Sequence, residues 1–202
     1  MVGSAVGILG GTFDPVHLGH LAIAEEVQKK LQLDEVLFMP AGQPWLKGQR
    51  EITPAEHRLE MVMLATASTP RFEVSTLELE RPGSTYTVDT MAQMRASLNR
   101  TTDLFFIVGF DSLADLPRWK EPDRLVKLCR VAAVRRPGHT ELDVDGIDAA
   151  VPGFRKSLVV VDAPLLDISA SDIRKRVADG LPITDMVPEA VARYIAENDL
   201  YR

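Results

Sequence analysis

The chain has 202 residues, 46% hydrophobic and 26% charged, ordinary globular usage that supplies a core without metal or disulfide staples and excludes disorder as the starting expectation. At roughly 100 to 200 residues per domain, one domain is expected over 1–202, with a small C-terminal helical part over about 168–202. The net charge of −6 argues against a broad basic face for nucleic acid, and the lone Cys129 excludes an internal disulfide and any zinc site built on paired cysteines.

No stretch approaches the ~18 apolar residues of a membrane span, and the opening MVGSAVGILGGTF lacks the basic region of a secretory signal. A soluble protein of a reducing cytoplasm is expected, with neither membrane nor nucleic acid as partner.

The first predicted element is a short apolar strand over Ala5 to Leu9 that ends in Gly10-Gly11. From Leu18, apolar residues at Leu18, Leu21, Ala22, Ala24 and Val27 fall at helical spacing, and EVLFM (Glu35 to Met39) reads as a second buried strand. This is a strand-helix-strand unit of the kind that builds parallel sheets. Residues 41–53 lack periodicity, and Thr53-Pro54 reads as an N-cap followed by proline at the first helical position, opening a helix to about Ser68.

A strand follows over Phe72 to Leu77, then a polar loop in which Ser84 or Thr85 caps a helix containing Val88, Met91, Met94 and Leu98. LFFIV (Leu104 to Val108) is continuously apolar between Asp103 and Gly109, the pattern of a central strand. Further strands are expected at Val131 to Val134 and Leu158 to Val161, and closing helices near Ser169 and Pro188; Thr140 to Gly153 carries no clear element. The alternation predicts an α/β fold, a doubly wound Rossmann-like parallel sheet flanked by helices.

Chemistry concentrates in GGTFDPVHLGH, Gly10 to His20. Glycines admit a phosphate close to the backbone, and a helix N-terminus offers free N–H groups with a partial positive charge. His17 and His20 are three apart, hence on one helical face, and Gly19 between them is expected to leave room for a bulky ligand. The pair also suits half of a metal site or a solvated helix end. No Cys lies nearby and no H-E-x-x-H pattern is present, so no protein metal site is expected. The chain's own composition makes a chance H-x-G-H match rare, about 0.005 expected. A second cluster, Ile168-Ser169-Ala170-Ser171-Asp172-Ile173-Arg174, places hydroxyls at a helix start and a guanidinium one turn in, a combination suited to phosphate but equally to an ordinary capped, solvated helix end.

GGTFDPVHLGH resembles the signature of the nucleotidylyltransferase superfamily named for H-x-G-H, whose members join a nucleoside triphosphate to a phosphate-bearing substrate. The resemblance implies that His17 and His20 contact the phosphate undergoing substitution, with Gly10, Gly11, Thr12 and Phe13 near the nucleotide. ISASDIR resembles the family's I-S-S-T-x-I-R motif, which implies that Ile168, Ser169 and Arg174 meet the outer phosphates of ATP; Ala170 removes one hydroxyl of that pattern. His17 counts against phosphopantetheine adenylyltransferase, where threonine or serine is usual, and no R-x-x-G-I-S-T-T motif of cytidylyltransferases is present.

GSTYTVDTM (Gly83 to Met91), VGFDSLADLPRW (Val108 to Trp119) and RRPG (Arg135 to Gly138) are together similar to the bacterial nicotinate-nucleotide adenylyltransferases. That family implies ATP and nicotinate mononucleotide as substrates, Mg2+ arriving with ATP, Gly109 and Asp111 beside the adenosine, Trp119 stacked on the pyridine ring, and Thr85 with Tyr86 at the nicotinate carboxylate. Lys47 remains where the family more often shows P-P-H-K, but Trp45 stands in for the histidine. On residue chemistry alone, Asp111 equally suits a helix cap, Trp119 a packing role and Lys47 an exposed loop. The rival from another class is a catalytically silent nucleotide-binding regulatory domain on the same fold. A homo-oligomer is compatible with the sequence.

Overall fold

A computed structural model describes residues 4–44, 52–135, 142–164 and 166–202. Six parallel strands form the main sheet: β1 (Ala5–Gly11), β2 (Glu35–Pro40), β4 (Phe72–Val74), β6 (Asp103–Gly109), β7 (Arg130–Arg135) and β8 (Leu158–Asp162). Their order is β4-β2-β1-β6-β7-β8. Two short strands, β3 (Gln43–Pro44) and β5 (Ser84–Thr85), pair separately.

The central strands are covered on both faces, so their side chains alternate between two apolar layers rather than between core and water. Phe105 and Ile107 of β6 join one layer, while Leu104, Phe106 and Val108 join the other. The first layer is closed by α1 (Leu18–Leu31), α2 (Ala55–Thr66), α7 (Ala170–Ala178) and α8 (Glu189–Glu197), through residues such as Val27, Met61, Ile173 and Ile195. The second is closed by α3 (Thr87–Ser97), a 3-10 helix (Phe110–Arg118), α4 (Pro122–Leu128), α5 (Val144–Ala150) and α6 (Phe154–Ser157), through Met91, Leu113, Leu125 and Phe154. This is the doubly wound α/β architecture expected from the alternation of elements.

Several boundaries differ from the sequence expectation for local reasons. Pro54, not Thr53, occupies the cap position of α2, which ends at Thr66 instead of Ser68; the Thr53 carbonyl accepts from Arg58 Nε (2.9 Å). The strand expected to reach Leu77 stops at Val74, since the chain turns where Leu79 and Glu80 donate back to the Thr76 carbonyl. Ser84 and Thr85 do not cap α3; they form β5, and Tyr86 takes the cap position without a side-chain bond. Within the unassigned 140–153 stretch, α5 forms on a true cap, Asp143 Oδ1 accepting from Gly146 N–H (2.9 Å).

Successive strands run outward from β1 to β2 on one side and from β6 to β8 on the other. The order reverses between β1 and β6, and open α/β sheets bind ligands beyond the carboxyl ends of strands at such a switch point. Gly10-Gly11 end β1 there and Gly109 ends β6.

Candidate active site

Between β1 and α1 the chain runs through Thr12 to His17 without regular structure, yet all six residues are buried. A buried irregular segment must find partners for its polar groups outside itself. Arg58 of α2, itself 2% exposed, donates from Nη1 to the carbonyls of Thr12 (2.9 Å) and Ala41 (2.8 Å). Its Nη2 lies 3.4 Å from the Gly42 carbonyl. The Ala41 N–H in turn donates to the Gly11 carbonyl (2.8 Å). One guanidinium therefore ties the loop after β1 to the loop after β2. Burial pulls its pKa down, offset by Asp14, Tyr201 and Glu56, yet the side chain stays cationic because arginine starts so high.

His17 occupies the N-cap position of α1, and its main-chain N–H donates to His20 Nδ1 (3.2 Å). The two rings stack with centroids 3.7 Å apart and planes 29° apart. Because Nδ1 of His20 accepts, the hydrogen bond assigns the neutral ring's proton to Nε2, making that nitrogen a donor. Phe13, at φ 50°, sets its ring edge-on to His20 (5.0 Å) and against Phe38 (5.8 Å). A Cβ on Gly19 would sit 3.0 Å from His17 Nδ1. The space at Gly19 thus serves the His17 ring, correcting the expectation that it admits a bulky ligand. No acidic side chain lies in the first turn of α1, so none within that turn offsets the helix's positive end. Its first N–H, that of Leu18, is taken by the Met186 carbonyl (2.9 Å).

The second motif adjoins the first. The Ile168 carbonyl lies 3.9 Å from the position of a Cβ on Gly19. Ser169 caps α7, accepting from Asp172 N–H (3.1 Å) and donating to Asp172 Oδ2 (2.6 Å). Arg174 donates from Nη1 to the Asp14 carbonyl (2.5 Å) and from Nη2 to Ser171 Oγ (3.1 Å). Its guanidinium therefore braces the histidine-bearing loop as well as standing one turn into α7.

Gly10, Gly11, Thr85 and Trp119 meet in one cavity of about 260 Å³ at the switch point, with Phe106 and Val108 of β6 as its floor. It suits one ring with its substituents, not a whole dinucleotide. Trp119 packs edge-on to Phe106 (6.0 Å, 76°), and its Nε1 is buried with no hydrogen-bond partner among the described residues. Tyr86 stands beside this wall beneath Lys120 Nζ, 4.6 Å from its ring centroid. Asp111 is not in the cavity. It lines a separate hollow of about 620 Å³ with Phe110, Leu142 and Gly146, while Ser112 and Asp115 from the same 3-10 helix reach the cavity instead. An added Cβ on Gly109 would meet nothing within 4 Å. Lys47 and Trp45, together with the Arg136-Pro137-Gly138 part of the RRPG motif, lie outside the described residues.

Sequence reasoning missed Glu78, Asp115, Ser112, Arg58 and Tyr201. Glu78 faces the cavity, held by the Thr90 hydroxyl (2.6 Å), and burial pushes its carboxyl above the usual range. Only Arg58 left a signal, as a cation in the helical stripe 58, 61, 62, 65 whose other members are Met, Val and Ala. Cys129 is buried as expected, its thiol pushed up to about 12 by desolvation.

The cytidylyltransferase-like family model matches residues 8–176. A probable nicotinate-nucleotide adenylyltransferase of Dehalococcoides mccartyi is 47% identical over 201 residues, covering 100% of this chain and 98% of the relative. One from Streptomyces coelicolor is 48% identical over 194 residues, covering 96% and 99%. In fold, the chain is similar to the Plasmodium falciparum nicotinic acid mononucleotide adenylyltransferase complexed with NaAD, at TM-score 0.78 and 21% identity, with 98% of this chain and 97% of that one covered. With a family model across most of its length and near-half identity end to end, the chain belongs to the cytidylyltransferase-like family and, within it, to the nicotinate-nucleotide adenylyltransferases.

Proposed function

We propose that the chain transfers the adenylyl group of ATP to nicotinate mononucleotide, releasing pyrophosphate and giving nicotinate adenine dinucleotide in NAD biosynthesis. The observation that carries this is the stacked His17–His20 pair at the start of α1, beside an aromatic-walled cavity at the β1/β6 switch point. Relatives bearing that activity in their names supply the substrate identities.

The phosphate of the mononucleotide attacks the α-phosphorus of ATP; a new P–O bond forms, the bond from that phosphorus to the bridging oxygen breaks, and pyrophosphate leaves. No protein nucleophile takes part. Catalysis rests on aligning two anions and stabilising charge on the α-phosphate. His20 Nε2–H and the His17 ring are the donors for that charge, Gly10 and Gly11 admit the nucleotide backbone-close, and Thr12 and Phe13 shape the approach. Ile168 and Ser169 place the α7 start near the outer phosphates, with Arg174 as their cation. Thr85, Tyr86 and Trp119 form the pyridine side, Lys47 a further phosphate contact, and Gly109 with Asp111 the adenosine side.

Among the described residues no group of three or more His, Cys, Asp or Glu could hold a metal ion. ATP is read as arriving with its Mg2+, an ion held mainly by phosphates and water and rarely by a dedicated protein cage. No helix among the described residues is long and apolar enough to cross a membrane. The packing of α7 and α8 into the same layer as α1 and α2 supports one domain over the chain.

Pyrophosphate release on mixing with ATP, Mg2+ and nicotinate mononucleotide tests the reading. Nicotinamide mononucleotide competed under the same conditions should react at least about tenfold less well, because an amide turns one N–H toward a donor at the carboxylate site. Binding of both substrates without pyrophosphate would indicate the silent regulatory domain instead.

A further inference from the structure

Asp14 is 3% exposed and sits three residues before His17 in the buried irregular segment. Its main-chain carbonyl accepts from Arg174, and its side chain is met from the far end of the sequence: the Tyr201 hydroxyl donates to Asp14 Oδ1 at 2.9 Å, across 187 positions. Tyr201 follows α8, and its ring packs with Leu200 against the same core layer as Phe13 and Val16. The segment that delivers the histidines is thus held from three directions: Arg58 of α2 at Thr12, Arg174 of α7 at Asp14, and Tyr201 at the Asp14 carboxylate.

We infer that Tyr201 is a positioning residue of the active site, acting through Asp14 to fix where His17 and His20 stand. Two features favour positioning over mere packing. The hydroxyl spends its proton on a buried carboxylate that would otherwise lose a donor, and a bond to a charged acceptor is directional as well as strong. Burial and the Asp14 carboxylate both push the Tyr201 pKa upward, so the hydroxyl remains a protonated donor throughout the neutral range. Between Asp14 and His17 lie only Pro15 and Val16, both buried. Displacement of Asp14 is therefore carried into the His17 main chain, whose N–H holds His20 Nδ1.

The inference rests on the proposed adenylyl transfer only for its kinetic arm. Tyr201→Phe keeps the packed ring and removes the hydroxyl. A 1 Å misplacement costs about 100-fold in rate, so a shift of half that should lower kcat roughly tenfold. The KM for nicotinate mononucleotide should stay within about twofold, since neither Asp14 nor Tyr201 lines the cavity proposed for that substrate's ring. Circular dichroism at the assay temperature fixes the folded fraction, so that a loss of folded protein is not counted as lost kcat.

The second arm needs no substrate: imidazole nitrogen NMR signals of His17 and His20 in the ligand-free protein should move in Tyr201→Phe. On an Asp14→Ala background, adding Tyr201→Phe should change neither kcat nor the imidazole signals further. Unmoved imidazole signals in Tyr201→Phe overturn the inference whatever the kinetics show, as does a loss that multiplies with that of Asp14→Ala. If Tyr201→Phe does not fold, Asp14→Asn, which keeps an oxygen acceptor, should retain imidazole signals that Asp14→Ala displaces; equal displacement overturns it. Absence of pyrophosphate from the parent protein would defeat the proposed function, and the imidazole comparison would still decide the role of Tyr201.

Discussion

Arg58→Met should be among the most destabilising single substitutions in the chain. The methionine fills most of the stem volume, so little of the effect comes from a cavity. What is lost is one charged donor set serving the Thr53, Thr12 and Ala41 carbonyls at 2.8–2.9 Å. A buried acceptor left unpaired costs about 1–3 kcal/mol; that applies in full to the Thr12 carbonyl and in part to those of Thr53 and Ala41, which are only partly buried, for roughly 2–7 kcal/mol in all. Against this stands relief from burying a cation, the desolvation that already lowers the Arg58 pKa. The net should be about 3 kcal/mol, because the groups left behind are neutral carbonyls and not an unpaired charge. Arg58→Lys keeps the charge but not the planar fork that spans separate carbonyls, so it should recover only part of the loss. Urea unfolding checks this: at an m-value of about 2–3 kcal/mol/M, the midpoint should drop by more than about 1 M with m unchanged. A loss under about 1 kcal/mol for Arg58→Met would refute the keystone role of the guanidinium.

His17→Ala and His20→Ala should each lower kcat by about 10²- to 10³-fold while the protein stays folded, the usual loss of one transition-state donor; near-normal turnover in steady-state assays would remove them from catalysis. Arg174→Ala should raise the KM for ATP more than that for the mononucleotide, with lysine a poor substitute for the fork. Because Arg174 also holds the Asp14 carbonyl, kcat should fall too, and unchanged ATP kinetics would sink the phosphate role. Glu78 has a raised pKa, so the native state binds its proton more tightly than the unfolded chain does. The associated stability is fully present below the unfolded value near 4.5 and is lost as pH rises through the raised one. Glu78→Gln should flatten that decline in thermal melts from about pH 4 to pH 8 and gain relative to the parent at the upper end; parallel curves would show that Glu78 does not titrate there.

The parts of the fold that were legible in the sequence are those decided by near neighbours. LFFIV announces a strand buried on both faces because five apolar residues in a row leave no polar face for water, and β6 lies at the centre of the sheet. The strands on either side of the first helix were readable for the same reason, and that helix from apolar residues at helical spacing. Where expectation failed, a distant partner overrode a local preference. Ser84 and Thr85 have the composition of a helix cap, yet pairing with Gln43–Pro44 draws them into a strand. Thr53 looks like a cap, but its carbonyl serves a guanidinium inside the helix.

The active site divides along the same line. His17 and His20 were readable because two imidazoles three apart at a helix start stand close together, although His17 is the N-cap with extended backbone and not part of the helical face, and the helix N-terminus beside a glycine pair already suits a phosphoryl ligand. The residues that hold them were not, since Arg58, Arg174 and Tyr201 meet the loop across 46, 160 and 187 positions. A catalytic motif is short because its chemistry is local, whereas the rigidity that makes it effective must come from elements already fixed by the core. Six buried residues without helix or strand cannot satisfy their own backbone. Long polar side chains from three separate elements of one apolar layer therefore meet there, and the loop stays fixed only while that layer remains packed.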